Sequence, residues 1–169
     1  MVFFAQGFGL GRIPLAPGTF GSVLGLLWFW LLLVPGQPSV LVAGTVAGLA
    51  MAVWLSGAAE KILGKKDPPS VIVDEIAAIP VCFLSWTGLW LWRTGALPQA
   101  GELVARNNWP AVLGVFVAFR FFDVLKPWPV RQSQALPGGW GITVDDFLAA
   151  IYVSLLVLLV HLARMFSVG

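Results

Sequence analysis

Long runs of apolar residues, separated by short polar links, dominate the pattern of the chain. Five runs occur, and they cover residues 20–34, 39–59, 71–92, 109–125 and 142–164. The last is long enough to cross a bilayer as a helix, which takes about 20 residues. The first and fourth are short, so we expect them to be partial spans, tilted, or extended by interfacial turns. The pattern predicts an all-α, multihelical integral membrane protein.

Composition agrees with the hydropathy pattern. Hydrophobic residues make up 59% of the 169 residues and charged residues only 11%, whereas about 25% of the residues of a soluble domain are charged. The net charge is +2, and the basic residues form no run that would indicate nucleic-acid binding. The single cysteine, Cys82, excludes an intramolecular disulfide and a cysteine-based metal cluster. We expect one membrane-embedded domain over residues 1–169.

The basic residues of the links indicate the orientation, because cytoplasmic loops carry an excess of Lys and Arg. If all five runs span the membrane and the N-terminus is cytoplasmic, most of the basic residues fall on the cytoplasmic side. These are Arg12, Lys61, Lys65, Lys66, Arg120, Lys126 and Arg131, against Arg93, Arg106 and Arg164 on the other side. The pattern therefore favours a cytoplasmic N-terminus.

Under this topology, five carboxylates from three different runs lie at one depth on the cytoplasmic side. Asp74 and Glu75 begin the third run, Asp123 ends the fourth, and Asp145 and Asp146 begin the fifth. Acids at a helix N-terminus are favoured by the helix dipole by about 0.3–1 kcal/mol, so simple solvation explains any one of those four. Five together repel one another unless a cation lies among them. Oxygen ligands without His or Cys suit Mg²⁺.

A glycine-rich stretch, GFGLGRIPLAPGTFGS (7–22), precedes the first run. Its two prolines prevent a regular helix, and a glycine-rich turn before a helix is a natural site for phosphate. Arg12 would add a positive charge there, and Thr19 or Ser22 would cap the helix. Taken alone, the stretch is more typical of an ordinary interfacial turn before a membrane helix than of a phosphate site.

Taken together, the polar motifs resemble the phosphatidylglycerophosphatase A family of small bacterial membrane phosphatases. The matching stretches are the one just quoted, DPPSVIVDEIAA (67–78), FRFFDVLKPWPVR (119–131) and GGWGITVDDFLAA (138–150). The resemblance implies a mostly helical phosphoric monoester hydrolase of the bacterial cytoplasmic (inner) membrane. It would remove the terminal phosphate of phosphatidylglycerophosphate to give phosphatidylglycerol, with Mg²⁺ as cofactor and its active site facing the cytoplasm.

The resemblance also implies roles for individual residues. The catalytic and metal-binding positions match Asp74, Glu75, Asp123, Asp145 and Asp146, and the substrate-binding positions match Thr19, Ser22, Arg120 and Lys126, to which we add Arg12. This chain departs from the family pattern at three positions, with Ala78 and Ala150 where glycine is common and Gln134 where an acid is common. The alanines are small enough to keep close packing. Gln134 removes a carboxylate, which affects the metal count or the rate rather than the reaction class.

Several alternatives stay open at the level of the sequence. Because the only histidine, His161, lies far from the acids, either a carboxylate activates a metal-bound water or an aspartate attacks phosphorus. A cation- or proton-coupled transporter, a metal-dependent lipid-head transferase and a structural membrane subunit are competing function classes. A transporter would favour acids at mid-membrane and inverted repeats, neither of which is visible. The expected partners are a phospholipid substrate and the bilayer, and a homo-oligomer is compatible with the sequence.

Overall fold

The computed structural model describes residues 1–167, and side chains as far as Met165. Within that range the chain is helical and contains no strand, which confirms the all-α prediction. The α-helices are α1 (Val2–Ala5), α2 (Pro17–Leu33), α3 (Pro38–Leu63), α4 (Val73–Cys82), α5 (Leu84–Thr94), α6 (Trp109–Leu125), α7 (Val130–Ser133) and α8 (Gly139–Ser167). Short 3₁₀ helices cover Leu10–Arg12 and Ala100–Leu103.

Each of the five apolar runs forms a helix or a pair of helices. Three stretches are long and apolar enough to cross a membrane, namely Pro38–Leu63, Val73–Thr94 and Gly139–Met165. The first and fourth runs form α2 and α6, each of 17 residues, which falls short of the roughly 20 needed for a straight span. The count of five full spans is therefore approximate, and the two short segments are the two expected from the sequence.

The third run is broken into α4 and α5 at Phe83. Pro80 lies inside α4, where a proline removes one backbone hydrogen bond and distorts the helix. The interruption leaves backbone amides at the start of α5, and α8 satisfies one of them. Ser154 of α8 accepts a 3.1 Å hydrogen bond from the Ser85 amide, and the two hydroxyls lie 2.8 Å apart. A polar contact between helices thus holds the chain at the break.

Helix α4 lies at the centre of the bundle and packs against α2, α3 and α8. Its contact with α2 is close because Gly18, Gly21 and Gly25 lie on the face of α2 that meets α4. A Cβ on Gly25 would overlap the side chain of Ile79. Small residues of this kind allow helices to approach closely in membranes. The two helices run in the same direction, so the N-terminus of α2 lies beside the acidic N-terminus of α4.

Helices α3 and α8 also approach through glycine. The position of a Cβ on Gly139 is already occupied by the backbone carbonyl of Val53, and Gly57 faces Gly139 in turn. This contact fixes the first turns of α8, which carry Asp145 and Asp146, against the central helices. The close contacts of α2 and α8 therefore bring the polar ends of separate helices to one end of the bundle.

Candidate active site

A cavity of about 240 Å³ lies at this end of the bundle. Residues from the start of α2, the link before α4, the start of α4, the end of α6 and the start of α8 line it. All five carboxylates singled out from the sequence are among them, and so are two of the cations. The seven residues are Asp74, Glu75, Asp123, Asp145, Asp146, Arg120 and Lys126. The structure thus brings together acids from three separate apolar runs.

Three of the acids form a group that could hold a metal ion. Oxygen atoms of Asp74, Glu75 and Asp146 all lie within 4.8 Å of one another. Asp74 and Asp146 are buried, and Oδ1 of Asp74 and Oε2 of Glu75 have no hydrogen-bond partner within the described part of the chain. Buried polar atoms without partners are rare because desolvation costs free energy. A divalent cation bound by oxygen would satisfy these atoms, so the residues fit Mg²⁺.

The fourth acid, Asp123, pairs with an arginine. Its Oδ2 lies 2.7 Å from Nη1 of Arg120, one turn earlier on α6. The same nitrogen lies 3.8 Å from Oε1 of Glu75. Arg120 therefore connects Asp123 to the group of three acids, and its charge offsets part of their repulsion.

The fifth acid, Asp145, pairs with a lysine. Its Oδ2 accepts hydrogen bonds from Lys126 Nζ at 2.5 Å and from Gln134 Nε2 at 3.0 Å. Lys126 follows the last turn of α6 in the left-handed conformation, with φ of 46°. Burial lowers the pKa of Lys126. The hydrogen bond and charge of Asp145, together with the charge of Asp123, raise it by more than burial lowers it, so the pKa of Lys126 lies above its ordinary value. The ammonium is therefore charged at neutral pH.

The start of α2 contributes Gly18 to the cavity. A Cβ at this position would lie 2.8 Å from both terminal nitrogens of Arg120 and would overlap Oε1 of Glu75. Only a residue without a side chain lets these groups lie against the backbone of α2. Helix α2 begins at Pro17 with Ala16 before it as the N-cap, and no side chain caps it.

The helix cap predicted for Thr19 or Ser22 is wrong. Proline is favoured as the first helical residue, so α2 begins two residues before Thr19. The Ser22 hydroxyl is buried and donates to the carbonyl of Gly18 at 2.9 Å. Neither residue lies among those that line the cavity, so the structure does not bring the predicted binding residues Thr19 and Ser22 to the acids.

Arg12 also lies outside the cavity lining. Its Nε donates to Oε1 of Gln6 at 2.8 Å, and Nε2 of Gln6 donates to the hydroxyl of Ser70 at 3.0 Å. The Ile72 amide donates to the carbonyl of Ala5 at 2.9 Å. Instead of facing the cavity, as the sequence suggested, Arg12 belongs to a hydrogen-bonded chain that holds the link before α4.

That link supplies a residue that sequence analysis did not single out. Asp67 lines the cavity together with Pro69 and Val71. Its φ of 47° lies in the left-handed region, which aspartate tolerates better than most residues. An acid directly before two prolines, in a stretch that resembles a known family, was the available signal.

The family model for phosphatidylglycerophosphatase A matches residues 3–161 of this chain. The chain belongs to the phosphatidylglycerophosphatase A family. The members of this family are phosphoric monoester hydrolases, so the predicted enzyme class and the resemblance are confirmed. Ala78 and Ala150, the two positions at which the family pattern led us to expect glycine, are both completely buried, which agrees with a demand for small residues there.

Three curated relatives are similar over most of the chain. Phosphatidylglycerophosphatase A from Escherichia coli is 34% identical over 149 residues, which cover 87% of this chain and 75% of that protein. The protein of the same name from Haemophilus influenzae is 32% identical, with coverage of 90% and 83%. A protein from Bacteroides thetaiotaomicron is 31% identical, with coverage of 92% and 90%, and is provisionally named a phosphatidylinositol-3-phosphatase. No solved structure matches the chain.

Proposed function

We propose that this protein hydrolyses phosphatidylglycerophosphate to phosphatidylglycerol and inorganic phosphate, with Mg²⁺, at the cytoplasmic face of the bacterial inner membrane. Family membership and two relatives named phosphatidylglycerophosphatase A support the reaction. The observation that carries the proposal is the cavity in which three carboxylates, two of them buried and two of them with unpaired oxygens, adjoin two cations. A phosphomonoester with its metal ion needs both kinds of group.

The five acids divide into two functions under this proposal. Asp74, Glu75 and Asp146 would hold Mg²⁺, because their oxygens converge. Arg120, the one cation paired with them among the described residues, lies 3.8 Å from Glu75 and pairs more closely with Asp123. A bound Mg²⁺ supplies positive charge that polarises a phosphoryl oxygen and offsets charge in the transition state. Asp123 and Asp145 instead fix the side chains of Arg120 and Lys126 through ion pairs.

The phosphate would be held by the two cations and by the start of α2. Arg120 offers several N–H groups in a fixed plane, and Lys126 offers a single ammonium. Hydrogen bonds from both cations to phosphate oxygens would be stronger in a site that excludes water. Gly18 lines the cavity at the first turn of α2, and its amide donates to no backbone acceptor among the described residues. Phosphoryl oxygens are favoured at such a helix N-terminus. The leaving group is the glycerol oxygen of the lipid, and water supplies the oxygen that completes the phosphate.

The position of the cavity suits a lipid substrate. It lies where α2, α4 and α8 begin and α6 ends, so a headgroup can enter while its acyl chains stay in the bilayer. Three lysines lie at the same end of the bundle: Lys61 in the last turn of α3, and Lys65 and Lys66 just after it. An excess of lysine at one end marks the cytoplasmic side, which supports a cytoplasmic active site.

Phosphate release by detergent-purified protein tests the proposal. We expect release from phosphatidylglycerophosphate with Mg²⁺, and a loss of at least about 100-fold in Asp146→Asn, because removing one group that stabilises transition-state charge costs on the order of 10²–10³ in kcat. Glu102→Gln is the matched control, since Glu102 contacts Asn108 in the link after α5, away from the cavity.

Two results would contradict the proposal. One is the absence of release from phosphatidylglycerophosphate by folded, Mg²⁺-supplied protein that does release phosphate from phosphatidylinositol 3-phosphate. The other is an Asp146→Asn variant as active as Glu102→Gln.

A further inference from the structure

A second cavity, of about 290 Å³, lies directly beside the first. Asp67 and Ile142 line both cavities. Gln134 lines only the second, and its amide donates to Asp145, which lines only the first. The hydrogen-bonded pair of Gln134 and Asp145 therefore forms part of the wall between two adjoining compartments.

The second cavity differs from the first in its charges. Lys66 is the one cation among the described residues that line it, and Asp67 is the one acid. Lys66 precedes Asp67, whose left-handed conformation and following prolines restrict this part of the link. Gly138 leaves open space at the wall, because nothing lies within 4 Å of a Cβ at that position. The compartment is open enough for a small polar group and has one positive charge for it.

From these features we infer that the second cavity binds the phosphodiester of the substrate headgroup and that Lys66 contacts it. The inference rests on the proposed function. Phosphatidylglycerophosphate carries two phosphates, a terminal monoester and a diester, joined by one glycerol. With the monoester beside Arg120 and Lys126, the short glycerol link leaves the diester next to the first cavity, where the second cavity adjoins it.

Gln134 suits this arrangement because it is neutral. Its Nε2 is used by Asp145, which leaves Oε1 to accept a hydrogen bond from the hydroxyl of the headgroup glycerol. A carboxylate at position 134 would add negative charge to a compartment that receives an anion, and like charges repel. A neutral Gln134 thus leaves the second cavity less negative than a carboxylate at this position would.

Competitive inhibition separates the two compartments experimentally. Glycerophosphoglycerol carries the diester without a monoester, and inorganic phosphate carries neither glycerol nor diester. We expect Lys66→Ala to raise the inhibition constant of glycerophosphoglycerol and the KM for phosphatidylglycerophosphate about tenfold, as for one lost charge-assisted contact. The inhibition constant of inorganic phosphate should stay within about twofold. Lys65→Ala is the control, because Lys65 is equally exposed but lines neither cavity.

Three outcomes would overturn the inference while the proposed function survives. They are wild-type turnover without inhibition by glycerophosphoglycerol, a Lys66→Ala variant that matches Lys65→Ala, and a Lys66→Ala variant that weakens inhibition by inorganic phosphate just as much. Failure of the wild-type protein to release phosphate from phosphatidylglycerophosphate would instead contradict the proposed function itself. Lys66→Arg should keep most of the affinity that Lys66→Ala loses, since it keeps the charge.

Discussion

Gly18→Ala should remove most of the activity without unfolding the protein. The added Cβ would lie 2.8 Å from both terminal nitrogens of Arg120, so the guanidinium must retreat by roughly 0.6 Å to reach the 3.4 Å at which ordinary contacts begin. The carboxylate of Glu75 is closer still and must also move. One change therefore displaces a phosphate-binding group and a metal ligand of the proposed site.

The expected size of the loss follows from that displacement. Misplacing a catalytic group by 1 Å can cost about 10²-fold in rate, so we expect kcat/KM to fall on the order of 30- to 100-fold, or about 2–2.7 kcal/mol. The displaced atoms are the ends of flexible side chains, so the backbone contact between α2 and α4 is kept. We expect the Tm to stay within about 3 °C of the wild-type value.

The assay is phosphate release at several substrate concentrations, together with a thermal unfolding curve of the same preparation. Gly114→Ala on α6 is the control, because nothing lies within 4 Å of a Cβ at that position. Activity of Gly18→Ala within twofold of Gly114→Ala would contradict a role for Gly18 in positioning Arg120 and Glu75. A large drop in Tm for Gly18→Ala would show that the glycine serves packing rather than the position of Arg120.

Two further variants test the elements that position the site. Gln6→Ala removes the amide that holds the link before α4, so we expect activity to fall about tenfold, as for one or two lost hydrogen bonds, while the exposed control Gln132→Ala keeps it. Unchanged activity in Gln6→Ala would contradict that role. Gly139→Ala forces a Cβ onto the carbonyl of Val53, and overpacking of about 1–3 kcal/mol should lower the Tm by about 3–10 °C. Gly88→Ala is the control and should leave the Tm unchanged, because its Cβ meets open space. Equal Tm values for Gly139→Ala and Gly88→Ala would disprove the tight α3–α8 contact.

The helices and the meeting of the acids followed from the sequence because both depend on hydropathy. Apolar runs in a membrane protein form helices, since each backbone group must find its hydrogen bond within the segment. Acids that begin the third and fifth runs and an acid that ends the fourth lie at one depth when consecutive runs alternate in direction. Asp74, Asp123 and Asp146 therefore line one cavity although 72 residues of chain position separate the first from the last.

The partners of individual side chains could not be predicted in the same way. Asp145 pairs with Lys126, which follows α6 in a left-handed conformation, and with Gln134 from the link before α8. Arg12 contacts Gln6 rather than the cavity because the N-terminal residues fold back onto the link before α4. Such choices depend on tertiary geometry, which neither spacing nor composition records.

The break at Phe83 was only partly predictable from the sequence. Pro80 is visible in the sequence, and a proline inside a helical run is expected to bend or end it. Proline is nevertheless tolerated in membrane helices when a neighbour satisfies the freed backbone groups. Here the break at Phe83 leaves the Ser85 amide free, and Ser154 accepts a hydrogen bond from it from 69 residues along the chain, so the break was not predictable from the third run alone.

Magnesium add-back to metal-stripped wild-type protein, with phosphatidylglycerophosphate as substrate, tests the central claim most directly. The protein is treated with EDTA, the chelator is removed, and phosphate release is followed as Mg²⁺ is added. The account predicts no release above background before the addition, and saturable recovery of release as Mg²⁺ rises. Full release from the metal-stripped protein, unchanged by Mg²⁺, would contradict it.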